Sequence, residues 1–321
     1  NEYERAIKDY DKAIALNPAF AEAYYNRGIA YAELNEYERA IEDFSNTIKL
    51  DPNDAKAYNN RGNAYAKLNE HERAIEDYDR AIELNPNYAK AYNNRGLAYT
   101  KLNKHERAIE DFSKAIALNP DFAEAYSSRG IAYAKLNKYE RAIEDFSKAI
   151  ALNPAFAEAY YNRGIAYAKL NKHERAIEDY GKAIALNPNY AEAYGNRGIA
   201  YSEIQRYEES ARDLKRAGVL FLHSGREEDA VKTFSFCFKL RNKIENDDIV
   251  YCGLALLLLT SDVDVMNELK GVRIQDEKLR TILELGMRKL RKEDISEEMA
   301  VLVGKEKRNE MMLLLELLKR F

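Results

Sequence analysis

Small and apolar residues return along this chain at alternating spacings of four and three. Tyr160, Gly164 and Tyr167 form one such run, and Ala176, Tyr180 and Ala183 form the next. That spacing puts side chains on one stripe of an α-helix, so each run predicts a short helix with a single buried face. The runs themselves repeat. All six prolines (Pro18, Pro52, Pro86, Pro120, Pro154 and Pro188) stand 34 residues apart, and Gly28, Gly62, Gly96, Gly130, Gly164 and Gly198 keep the same interval. Two short helices cannot hide both stripes alone, so neighbouring copies must stack and share them. The glycine lets the paired helices approach closely, at a helix-propensity cost of about 1 kcal/mol. The proline stops the second helix, because the residue before it is pushed away from helical torsions.

Counted with Ala21 as position 1, full repeats occupy 21–54, 55–88, 89–122, 123–156, 157–190 and 191–224, and residues 1–20 are the second half of an earlier copy. Tyr24, Gly28, Tyr31, Ala40, Phe44 and Pro52 resemble the tetratricopeptide repeat pattern, W-x-x-L-G-x-x-Y, then A-x-x-x-F, then P. The resemblance covers residues 1 to about 210. It implies an all-α fold, a right-handed superhelical solenoid of antiparallel helix pairs whose first helices line a concave groove. Two departures recur: Tyr replaces Trp at position 4, and Arg replaces Leu at position 7 (Arg27, Arg61, Arg95, Arg129, Arg163, Arg197). Each repeat also carries Asp at position 23, from Asp43 to Asp213. Both positions flank core stripes, so a repeated, partly buried Arg–Asp pair is expected, in which a guanidinium meets a carboxylate bidentately. His71, His105 and His173 share position 17 with tyrosines of other repeats. They lie one repeat apart and do not converge as metal ligands would, which predicts packing.

Positions 2, 6, 9 and 13 lie about 200° from the core stripe and should face the groove. Position 6 reads Asn26, Asn60, Asn94, Ser128, Asn162, Asn196. An amide both donates and accepts, so such a row could clamp the backbone of an extended peptide without reading its sequence. The row resembles the asparagine ladder of repeat domains that hold extended substrate or cargo peptides. Position 13 gives a basic row, Lys67, Lys101, Lys135 and Lys169, between Glu33 and Glu203, and position 2 is lysine only at Lys56 and Lys90. Around the second and third repeats these join Asn59, Asn63 and Asn93 in a patch expected to suit a carboxylate. The carboxylate clamp of the chaperone-tail-binding branch fits in part. Asn63 and Asn94 match it, but Asn59, Glu124 and Ser128 stand where cations are wanted. The expectation is therefore a looser preference for acidic or carboxylate-bearing peptides.

Of the 321 residues, 46% are hydrophobic and 32% charged, with a formal net charge of −4. That near-balance argues against nucleic acid as a partner. No run of about 18 apolar residues predicts a membrane span. Cys237 and Cys252 form no CxxC pair, which points to a reducing, cytoplasmic setting. Nothing matches a catalytic or cofactor motif, and periodic residues do not make the singular site an enzyme needs, so no enzyme, cofactor or metal is expected. The chain starts inside a repeat with Asn1, which suggests a missing N-terminal part.

Composition shifts near residue 210, where a degenerate copy, 217–240, echoes the pattern with Ala217, Gly218, Phe221, Ala230, Phe234 and Cys237. Helices are predicted at about 247–260, 262–270, 275–292 and 296–320. The expected organisation is a truncated repeat over 1–20, six repeats over 21–224 with the last degenerate in its second half, an overlapping repeat-like copy over 211–241, and a divergent helical cap over 242–321. The apolar excess near 308–318 raises a possible homo-oligomer through the C-terminal helices. The function expected is a protein–protein interaction scaffold holding an extended peptide or partner segment. The alternative is the recognition or regulatory arm of a larger enzyme or signalling protein.

Overall fold

The computed structural model describes residues 2–244, 246–260, 263–270, 274, 276–290, 295 and 309–320, and every regular element among them is helical. They fall into two compact bodies, Asn1–Pro154 and Ala155–Phe321. The first opens with α1 (Glu2–Leu16). First and second helices then alternate: α2 (Ala21–Glu33) with α3 (Tyr37–Leu50), and α4 (Ala55–Lys67) with α5 (His71–Leu84). After them come α6 (Ala89–Lys101) with α7 (His105–Leu118) and α8 (Ala123–Lys135) with α9 (Tyr139–Leu152). Each first helix packs on its own second helix and on that of the preceding pair, and successive first helices adjoin one another.

The pairing rests on one close approach. A Cβ added to Gly96 would lie 2.7 Å from Phe112 Cε1, and one on Gly62 would lie 2.7 Å from Tyr78 Cε1. Only a residue without a side chain lets the fully buried ring lie flat on the neighbouring backbone.

Each first helix ends in a Schellman motif. Asn35 takes φ 60°, its N–H bonds to the Ala32 carbonyl, and the Glu36 N–H bonds to the Tyr31 carbonyl at 2.9 Å. Asn69, Asn103, Asn137 and Asn171 repeat that left-handed turn, and Gly225 does so in the degenerate copy. Gln205 stands there with φ 61° and a longer side chain that bears the torsion less well. Gln205→Asn should therefore raise stability by about 0.5 kcal/mol in urea denaturation. Second helices end on asparagine as well as proline: Asn85 Oδ1 accepts the Asn87 N–H at 3.1 Å, and Asn119 Oδ1 accepts the Asp121 N–H at 3.2 Å.

The arginine–aspartate pairs form within every repeat. Arg27 donates through Nε and Nη2 to both oxygens of Asp43 at 2.7 Å, and the same fork joins Arg61–Asp77, Arg95–Asp111, Arg129–Asp145, Arg163–Asp179 and Arg197–Asp213. In the first body the third nitrogen reaches back to the preceding second helix, at Asp11, Ser45, Asp79 and Ser113. Each of these guanidinium groups thus ties a repeat to its predecessor. The Asp111 carboxylate holds the Arg95 pKa above its ordinary value.

The second body contains α10 (Ala157–Lys169), α11 (His173–Leu186), α12 (Ala191–Glu203), α13 (Tyr207–His223) and α14 (Glu227–Lys239). Beyond them lie α15 (Asp247–Thr260), α16 (Val263–Lys270), α17 (Glu277–Leu290) and α18 (Asn309–Arg320). α13 serves two pairs at once. A Cβ on Gly198 of α12 would lie 2.8 Å from Leu214 Cγ, while a Cβ on Gly218 of α13 itself would lie 2.3 Å from Phe234 Cε1 of α14. From there one core runs from Ala191 to Leu318. α15 is apolar all round because α13, α14, α16, α17 and α18 contact it.

Helix α18 buries Met311, Leu313, Leu314, Leu315, Leu317 and Leu318 in that core. The apolar letters that suggested self-association are therefore used within the chain. Of the helix expected over 296–320, residues 296–308 lie outside the described residues. Cys237 and Cys252 are both buried, and burial pushes the Cys252 thiol pKa up.

Candidate functional site

Helices α2, α4, α6 and α8 present positions 2, 6, 9 and 13 side by side in the first body. Between α2 and α4 this face opens into a cleft of about 380 Å³. Ile29, Ala32, Phe44 and Ala64 give it apolar walls, while Glu33, Asn60, Asn63 and Lys67 supply its polar lining. Such a mixture suits a ligand that seats one apolar group and fixes its direction through a few polar contacts.

The amides are more engaged with one another than a free ladder would be. Asn60 Nδ2 donates to the Tyr25 hydroxyl at 3.0 Å, and Asn59 Nδ2 donates to Asn60 Oδ1 at 3.2 Å. Asn94 Nδ2 donates to Asn59 Oδ1 and Asn63 Oδ1, both at 3.0 Å, and the Tyr78 hydroxyl also donates to Asn63 Oδ1, at 2.8 Å. At Asn60, Asn94 and Asn196, position 6 of one repeat donates to position 5 of the one before. Among the described residues, the groups left without a bond include Asn63 Nδ2 and Asn94 Oδ1, together with one N–H of Asn60.

Position 5 is not a surface position. Asn59 and Asn93, expected in the exposed patch, are 3% and 6% exposed, because they lie between adjoining first helices. Among the described residues, Asn93 Oδ1 is buried with no hydrogen-bond partner. Position 6 of the following repeat should donate to it, but there stands Ser128, a shorter side chain. Ser128→Asn should complete the row and raise stability by about 1 kcal/mol, seen as a higher urea midpoint. A lower midpoint would show that the ladder rule does not extend to this step.

Lys56, Lys67, Lys90, Lys101 and Lys135 are exposed on this body, and none forms an ion pair among the described residues. Lys67, Lys101 and Lys135 each close a first helix, where the carbonyl end of the dipole also favours a cation. Asn26 is half-buried on α2. In the second body Asn196 Nδ2 donates to the Tyr161 hydroxyl at 3.0 Å, Asn162 is half-buried and Lys169 is exposed. Burial pushes the Tyr161 pKa up to about 12. The tyrosine hydroxyls and the Ile29–Phe44 wall are features that reading position 6 alone passes over. The alternation of Tyr25, Asn59, Asn93, Ser127 and Tyr161 at position 5 is the signal that could have found the former. Among the described residues no group of three or more side chains could hold a metal ion, and no helix is long and apolar enough to cross a membrane.

Family models described as tetratricopeptide repeat match residues 21–54, 55–88, 89–122 and 157–190, and 112–144 and 180–212, and one described as TPR repeat matches 1–35 and 132–171. The matches run from residue 1 to 212 without a break. The chain belongs to the tetratricopeptide repeat family. Several solved structures are similar to it. The C-terminal part of a TPR repeat-containing protein from Cytophaga hutchinsonii is 16% identical, covering 76% of this chain and 98% of its own, with a TM-score of 0.62. For pilF of Pseudomonas aeruginosa the figures are 18%, 65%, 95% and 0.58. YrrB, described as a TPR protein with an unusual peptide-binding site, is 28% identical over 57% of this chain and 95% of its own, with a TM-score of 0.49. No curated protein matches the sequence. The tetratricopeptide repeat is generally a non-catalytic scaffold.

Proposed function

We propose that this protein is a peptide-binding scaffold, and that the first-helix face of its first body holds an extended partner segment. The observation that carries the reading is the α2–α4 cleft, where an apolar wall stands beside unused amide N–H groups and an unpaired ammonium. An apolar side chain of the segment enters between Ile29 and Phe44. Its main-chain carbonyls accept from Asn63 and Asn60, and a carboxylate nearby meets Lys67 or Lys101. Lys56, Lys90 and Lys135 extend the positive rim, and Asn26 and Asn94 add polar contacts. In the second body Asn162, Asn196 and Lys169 occupy equivalent register positions and are proposed for the same role there.

Peptides selected from a random displayed library test the reading. The selected set should pair an apolar residue with acidic neighbours, and Lys67→Glu with Lys101→Glu should weaken binding about tenfold, roughly the loss of one or two charge-assisted contacts. Equal affinity for the double variant would remove the acidic preference.

A further inference from the structure

The second body holds a cleft of about 550 Å³ that no amide row lines. One wall is the turn into α12 and its first residues, with Asn189 and Glu192, and the other is a face of α13 carrying Arg216, Val219 and His223. Gly218 meets Phe234 as Gly28 meets Phe44, which fixes Gly218 as position 8 of the degenerate copy. Arg216, Val219 and His223 then occupy positions 6, 9 and 13, the register of Asn60, Asn63 and Lys67 in the first body's cleft. Where the ladder has an amide, this copy has a guanidinium.

Among the described residues, that guanidinium has no ion-pair partner. The half-buried Arg163 and Arg197 fork onto Asp179 and Asp213, and Arg241 meets Glu268 at 2.6 Å. Arg216 is half-buried too, yet among the described residues no carboxylate lies within ion-pair distance of it. The acid on the cleft wall, Glu192, is engaged by Arg226, which also binds Asp229. A guanidinium partly withdrawn from water gains most from a bidentate oxyanion, and here the position is open.

We infer that this cleft is an anion site in which Arg216 holds a carboxylate or phosphate carried by a partner, with His223 and the Asn189 amide beside it. The site uses other residues in the other body, so it does not depend on the peptide reading of the α2–α4 cleft.

The test is an NMR titration of the whole chain, following the Arg216 Nε–H signal and the amides of α13. Three probes are compared: N-acetylglycylglycine with a free carboxylate, its C-terminal amide, and inorganic phosphate. Saturable shifts at Arg216, Val219 and His223 are expected with one or both anions and not with the amide. A carboxylate-only response identifies a peptide carboxylate as the source, and a phosphate-only response identifies a phosphoryl group. Arg216→Gln should weaken binding about tenfold, while Arg212→Gln, on an exposed side chain of the same helix, should change nothing. If Arg216→Gln does not fold, Arg216→Lys takes its place and should weaken binding several-fold, since a point charge cannot fork. No saturable shift with either anion, or binding unchanged by the Arg216 substitution, would overturn the site.

Discussion

Asp145→Ala is expected to destabilise the first body by about 3–5 kcal/mol, the cost of leaving a partly buried charge without its partner. Asp145 is 6% exposed and takes both Nε and Nη2 of Arg129, whose remaining hydrogen bond goes to the neutral hydroxyl of Ser113. Asp111→Ala should cost less. Arg95 would keep Asp79 on the preceding second helix, at 2.6 Å, and so retain one charged partner. Glu144→Ala and Glu110→Ala, on exposed neighbours, should move stability by no more than about 0.5 kcal/mol. Urea denaturation of the four variants gives the order. Equal losses at Asp145 and Glu144 would remove the forked pair as the tie within a repeat.

Gly218→Ala should be the next most damaging change, at about 2 kcal/mol. The added methyl would lie 2.3 Å from Phe234 Cε1 and 2.6 Å from Cζ, against a ring that is fully buried and cannot turn aside. Overpacking of this kind costs about 1–3 kcal/mol or more, and the better helix propensity of alanine offsets at most about 1 kcal/mol. Gly181→Ala supplies the contrast, because its Cβ would meet only Arg197 Nη1, at 3.5 Å. It should be neutral or slightly stabilising. A Gly218→Ala variant as stable as the parent would mean that α13 does not pack on α14 as a first helix packs on a second.

The helix pairs and their shared core were legible because the 34-residue period repeats every stripe six times. The arginine–aspartate fork was legible too, since two charged letters kept pace on positions flanking the core. Position 5 was not. Asn59 and Asn93 sit one residue from the ladder, and a step of about 100° turns a side chain from the open face to the seam between adjoining first helices. The bonds among Asn59, Asn60, Asn63 and Asn94 were hidden for a related reason, because side-chain amides reach across repeats and sequence spacing carries no orientation. The left-handed turns at Asn35 and its equivalents could have been read from the recurring Leu-Asn pair, which marks a helix C-terminus as clearly as proline does. The register of Arg216 and His223 was already set by Ala217, Gly218 and Phe221, but that they line a cleft could not be read from a copy whose groove letters differ from those of the other repeats.

The most direct test of a docking face on the first body is an NMR map of a library-selected peptide bound to the whole chain. The largest shifts are expected at the side-chain amides of Asn60 and Asn63 and around Ile29 and Lys67, with Asn63→Ala weakening the complex about tenfold. Shifts confined to the second-helix surfaces, or an affinity indifferent to Asn63, would contradict it.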